Sequence, residues 1–101
     1  MIYMFLVRDV FNVKPGNAKA LIGKFKSAMP HLEAEGVVKS TRILTDSSSN
    51  FWTVVLESEV EDLNAYMNMS KSIGANKEVG EAMKGYIDLL NGGYREIFLI
   101  E

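Results

Sequence analysis

The chain predicts an α+β fold, a four-stranded antiparallel sheet with helical segments packed on one face. Three observations lead there. Four segments have the β-branched, aromatic and apolar make-up of strands, and the segments between them repeat apolar residues at helical spacing. The elements follow one another as β-α-β-β-α-β. The connections are short, and right-handed crossovers are the default.

Residues 1–13 read as the first strand: an apolar run over residues 1–7, an interruption at Arg8 and Asp9, then Val10, Phe11 and Val13. Lys14-Pro15-Gly16 breaks it, and Asn17 stands where a helix N-cap belongs. Residues 18–35 form an amphipathic helix. Ala18, Leu21, Ile22, Phe25, Ala28, Met29 and Leu32 share one stripe, with Lys19, Lys24 and Lys26 off it. Pro30 is expected to bend its last turn and Gly36 to stop it. Residues 37–45 are the second strand, the most polar and therefore suited to an edge.

The turn at residues 46–50 is short enough for an antiparallel hairpin into the third strand, residues 50–57. Both alternating sets of that strand, Phe51, Thr53, Val55 and Trp52, Val54, Leu56, are essentially apolar, which predicts cover on both faces. Residues 58–91 read as helical, but about 30 residues in one rod would run about 45 Å, longer than the domain. Leu63, Tyr66 and Met67 mark one stripe, and Val79, Met83, Tyr86, Ile87 and Leu90 a second. The weak helix formers from Ser70 to Asn76 predict a break between them. Asn91-Gly92-Gly93 is expected as a helix stop, with residues 94–101 as the fourth strand.

This order specifies a ferredoxin-like unit, in which strands one and three are central. They are also the most apolar here. Helices cover one face of such a sheet, and a bare face should alternate to polar residues. Strands one, three and four do not alternate at their centres, and an exposed apolar patch marks an interface. The simplest cover is a second copy packed sheet against sheet, a two-fold homodimer. In length, element order, the Lys14-Pro15-Gly16 turn, the hairpin at residues 46–50 and the closing Tyr94-Arg95-Glu96-Ile97 strand, the whole chain resembles the dimeric α/β-barrel superfamily. Its members include antibiotic-biosynthesis monooxygenase-like, NIPSNAP-like and stress-responsive barrel proteins. The resemblance implies the fold and its pairing into a dimeric barrel. It carries no catalytic motif, and the architecture hosts many activities.

Composition narrows the function classes. The 101 residues make one domain, residues 1–101. At 48% hydrophobic and 24% charged the chain is globular rather than disordered. A net charge of −2 without a basic cluster argues against a nucleic-acid partner. The absence of cysteine removes disulfides, thiolate metal sites and Cys nucleophiles. The opening apolar run is too short to span a membrane, so the expectation is a cytoplasmic protein without a targeting segment. There is no Walker loop, no G-x-G-x-x-G, no G-x-S-x-G and no H-E-x-x-H.

Five residues are candidate ligand contacts: Trp52, Tyr66, Tyr86, Arg8 and His31. His31, the single histidine, reads either as a base or ligand, or as a helix-end residue whose charge suits the C-terminus. With no second His and no Cys, neither metal nor cofactor is expected. Haem-degrading members of the superfamily combine an Asn, a Trp and a His. Trp52 would match their Trp, but their His lies on the second helix and residues 58–91 contain none. Trp52 on the third strand either walls a pocket for a planar ligand or packs in the core. Tyr66 and Tyr86 lie on stripes facing the sheet, where their hydroxyls need partners. Arg8 and Asp9 point to opposite faces, and an inward Arg8 would need Glu57 or Glu96, as an ion pair or beside an anionic ligand. No catalytic residue is named. The pocket is expected between the third strand and the helices, where Gly23, Ala28, Gly74, Ala75, Gly80, Ala82 and Gly85 leave room, with an aromatic ligand near Trp52. Two functions remain open: a site that binds or oxidises a small apolar or aromatic molecule, as the resemblance to cofactor-free monooxygenases implies, and a non-enzymatic homodimeric binding or stress-response module.

Overall fold

The computed structural model describes residues 3–48, 51–71 and 75–101. The first strand, β1 (Met4–Val13), pairs antiparallel with β3 (Thr53–Val60) on one side and β4 (Leu90–Ile100) on the other. The second strand, β2 (Val38–Thr45), pairs antiparallel with β3, so the sheet order is β2-β3-β1-β4. β1 and β3 are central, as expected. Among the described residues the helical elements are α1 (Ala18–Glu33), α2 (Leu63–Lys71) and α3 (Lys77–Ala82), with a 3-10 turn at Tyr86–Leu89. The fold is the ferredoxin-like α+β unit with its second helical region divided in two.

Alternation along β1 sorts the two faces. Phe5, Val7, Phe11 and Val13 pack toward the helices together with Val54, Leu56 and Val60 of β3. Two buried clusters result. One joins Val13 and Val54 to Leu21, Phe25, Ala28, Val79 and Met83, with the Phe11 and Phe25 rings 5.2 Å apart. The other joins Val7 and Val60 to Val38 and Tyr66. The helix break lets α2 and α3 serve different clusters. Asp62 starts α2, its Oδ1 accepting from the Ala65 N–H at 3.0 Å, and Asn76 starts α3 in the same way through Val79. The Ser72-Ile73-Gly74 part of the expected break lies outside the described residues.

Several boundaries differ from expectation. β3 begins at Thr53, not residue 50, because the Thr53 N–H donates to Asp46 Oδ1 and the Asp46 N–H to the Thr53 carbonyl, closing the turn there. Trp52 therefore lies in the turn rather than on the strand, at φ +59, a region bulky residues rarely occupy. Phe51 is 86% and Trp52 41% exposed, so neither belongs to the core. At its other end β3 runs on through Glu57, Ser58 and Glu59. Asn17 holds the N-cap position without a side-chain cap bond, and Pro30 sits within the last turn of α1. The expected second stripe is helical only to Ala82, which leaves Ile87 exposed. Asn91-Gly92-Gly93 does not stop a helix; it belongs to β4 beside a register shift in β1. Residues 1, 2 and 50, assigned to strands from sequence, lie outside the described residues.

The uncovered face carries one charged row across all four strands. Arg42 of β2, Glu57 of β3, Arg8 of β1 and Glu96 of β4 are register neighbours. Glu57 is only 3% exposed, roofed by Arg8, whose Nη2 lies 2.9 Å from it, and by Arg42. Burial alone would raise its carboxyl pKa, but hydrogen bonds and charge from Arg8 and Arg42 outweigh burial and hold it below the usual value.

Two tests follow from this packing. A Cβ on Gly93 would meet the Val10 carbonyl oxygen at 2.3 Å, backbone that cannot step aside. Gly93→Ala is expected to destabilise by about 1–3 kcal/mol in urea denaturation. Glu57 has a folded pKa below its unfolded one, so its contribution is present above the unfolded value near 4.5 and is lost as pH falls through the folded one. Glu57→Gln is expected to cost about 2 kcal/mol at neutral pH and to match the wild type more closely at pH about 3, read from urea midpoints.

Candidate functional site

The helix-side face of the sheet is not completely filled. A cleft of about 390 Å³ opens between it and the helical layer. The sheet supplies Asp9, Phe11, Leu56, Ser58 and Arg95; α1 supplies Phe25, Met29 and Leu32; α2 supplies Tyr66, Met69 and Ser70; Met83, Tyr86 and Leu90 close it. Most of these side chains are apolar, and the size is that of a small-molecule pocket. The two buried clusters sit at opposite ends of the sheet.

One polar group of three residues faces this space. Asp9 is buried on the helix side of β1. It receives the Tyr66 hydroxyl at 3.1 Å on Oδ2, Arg95 Nε at 2.5 Å on Oδ1 and Arg95 Nη2 at 3.4 Å on Oδ2. Arg95 is the register partner of Asp9 on β4, so sheet pairing itself brings the two charges together. Its Nη2 also donates to Ser70 Oγ at 3.1 Å and its Nη1 to Met67 Sδ at 3.3 Å, and its guanidinium lies 5.4 Å from the Tyr66 ring centre. Burial, and then the Asp9 carboxylate, push the Tyr66 hydroxyl far above its ordinary value, so it remains a proton donor at neutral pH. The hydrogen bond from Asp9 favours the charged form of Arg95 and outweighs its partial burial.

Of the five residues chosen from sequence, Tyr66 and Tyr86 line the cleft. The other three lie elsewhere. Trp52 sits in the β2–β3 turn, where its carbonyl accepts from the Val13 N–H at 2.8 Å, and it does not wall the cleft. Arg8 lies on the opposite face of the sheet, paired with Glu57. His31 is exposed on α1 and borders a separate shallow groove with Ser27, Lys77, Glu78 and Glu81. None of the expected small residues among the described ones lines the cleft, and Gly74 lies outside them. Asp9 and Arg95 were missed as site residues. A charge at the centre of an apolar strand was the available signal for Asp9. The parity that puts Arg95 with Gly93 and Ile97 on the helix side needs the β1–β4 register. Among the described residues, no group of three His, Cys, Asp or Glu is placed to hold a metal ion.

No family model matches the chain, and no curated protein matches it. Solved structures do. A NIPSNAP family protein of Agrobacterium tumefaciens superposes with a TM-score of 0.79 at 9% identity, over 100% of this chain and 89% of its own. An antibiotic biosynthesis monooxygenase-like protein of Chloroflexus aurantiacus gives 0.74 at 13% identity, over 97% and 93%. A dimeric protein of unknown function and ferredoxin-like fold from Bacteroides fragilis gives 0.71 at 16% identity, over 96% of each chain. Identities this low carry the fold and not the activity. The chain thus shares the ferredoxin-like fold of these structures.

Proposed function

We propose that this protein binds a small, largely apolar molecule in the cleft between sheet and helices. The observation that carries the reading is the convergence of Asp9, Tyr66 and Arg95 on an otherwise apolar space of about 390 Å³. Apolar walls supply affinity and the polar group fixes orientation. Met29, Met69 and Met83 in the wall can repack around different occupants. Binding fits the polar group better than turnover does, because the Tyr66 proton is held firmly and Asp9 already accepts three hydrogen bonds. The likeness to an antibiotic biosynthesis monooxygenase-like protein supports a second reading, in which dioxygen oxidises the bound compound without a cofactor. Among the described residues, Asp9 is the only carboxylate bordering the cleft that would serve as its base.

We also propose that two copies pair through the uncovered sheet face. Tyr94 is 58% and Phe98 46% exposed there, with Ile100 and Leu44 alongside. Exposed apolar side chains on both sides of the charged row favour a partner. The Bacteroides fragilis protein of the same fold is described as dimeric.

Titration calorimetry with a panel of planar bicyclic aromatics is expected to find micromolar binders, about −8 kcal/mol. Met29→Trp, which fills the cleft, should abolish their binding with the circular dichroism unchanged. Heat from none of the panel would sink the reading. Oxygen uptake on adding a bound compound would establish the oxidative version. In light scattering the protein should run as a homodimer at micromolar concentration and Phe98→Glu as a monomer or an aggregate. A well-folded wild-type monomer would remove the pairing.

A further inference from the structure

The charges inside the cleft cancel. Asp9 and Arg95 are the charged residues that line it among the described ones, and they are paired with each other. An anionic ligand would have to sit beside the Asp9 carboxylate or pull Arg95 away from it, leaving a buried charge unpaired. A cation meets the same obstacle at Arg95. The hydrogen-bond inventory narrows the ligand further. A carboxylate offers about four acceptor sites and a guanidinium five N–H donors. Asp9 uses three: the Tyr66 hydroxyl and Arg95 Nη2 on Oδ2, and Arg95 Nε on Oδ1. Arg95 uses four: Nε and Nη2 to Asp9, Nη2 to Ser70 and Nη1 to Met67. One acceptor site on Asp9 and one donor on Arg95 are left, on neighbouring side chains.

We infer that the cleft selects an uncharged ligand that carries both a hydrogen-bond donor and an acceptor, such as a planar lactam, and discriminates against a carboxylate of the same shape. The donor goes to Asp9 and the acceptor to Arg95, while the ring lies against Phe25, Met29 and Leu56. This selectivity rests on the binding reading above. It does not depend on whether the ligand is turned over.

Three probes of one ring size separate the possibilities: carbostyril, which is a bicyclic lactam, naphthoate and naphthalene. In calorimetry at neutral pH, carbostyril is expected to bind about tenfold more tightly than naphthalene, with naphthoate weakest. Naphthoate binding as tightly as carbostyril overturns the selectivity and leaves the cleft as a binding site. No binding of any of the three overturns both. In Asp9→Asn the Arg95 charge is no longer balanced, so the order should shift toward naphthoate; an unchanged order in a folded variant overturns the inference. Should that variant fail to fold, the wild-type protein decides at two ionic strengths. Carbostyril affinity is expected to be the same at both, and naphthoate binding that strengthens markedly at low salt overturns the proposal.

Discussion

The helix-side architecture depends on one buried carboxylate. Asp9 lies in the central strand, on the face the helices cover, with apolar Val7 and Phe11 as its same-face neighbours. An ionised group there would cost several kcal/mol if left unpaired, more than burying a neighbouring Val contributes. The fold answers with two elements. β4 brings Arg95 opposite it, and α2 brings the Tyr66 hydroxyl. The interaction thus ties the central strand to an edge strand and to a helix, and every buried side-chain polar atom among the described residues is satisfied. The arrangement specifies where α2 must sit; the affinity of α2 for the sheet comes from Tyr66 and Leu63 in the second cluster.

The opposite face solves a related problem differently. Glu57 is also buried, but its two arginines reach it along the sheet surface and stay in partial contact with solvent. Arg8 and Arg42 keep water on their outer sides. A partner covering this face would exclude that water and raise the importance of the row. The charged row also separates the apolar neighbours Leu44, Val55, Val10 and Tyr94 from Leu6 and Phe98. It would restrict how a second copy can seat itself, since like charges facing each other are costly.

The cleft is bordered by a divided helical layer: α2 packs on the cluster at one end of the sheet and α3 on the cluster at the other. Met29, Met69 and Met83 border that opening, and flexible thioethers tolerate an irregular wall better than branched side chains do. Structure and binding proposal meet here: the gap supplies apolar volume, and the Asp9 pairing supplies its charged, paired polar group.

Local pattern by itself determined the number and order of the elements, the central place of β1 and β3, the division of the second helical region and the separation of Arg8 from Asp9. Each follows from spacing between near neighbours, which the sequence displays directly. The site was only partly legible. Tyr66 and Tyr86 were visible because they lie on helical stripes. Arg95 was not, since it meets Asp9 across 86 residues and only the β1–β4 register brings them together. Trp52 was misplaced because a strand-like composition extends into the turn, and the Asp46–Thr53 hydrogen bonds, not propensity, decide where β3 begins. Gly92 and Gly93 resembled a helix stop for the same reason. Only the tertiary structure shows that Gly93 is needed where β4 presses against the Val10 carbonyl. Register and close approach are properties of paired strands, and a single strand's sequence specifies neither.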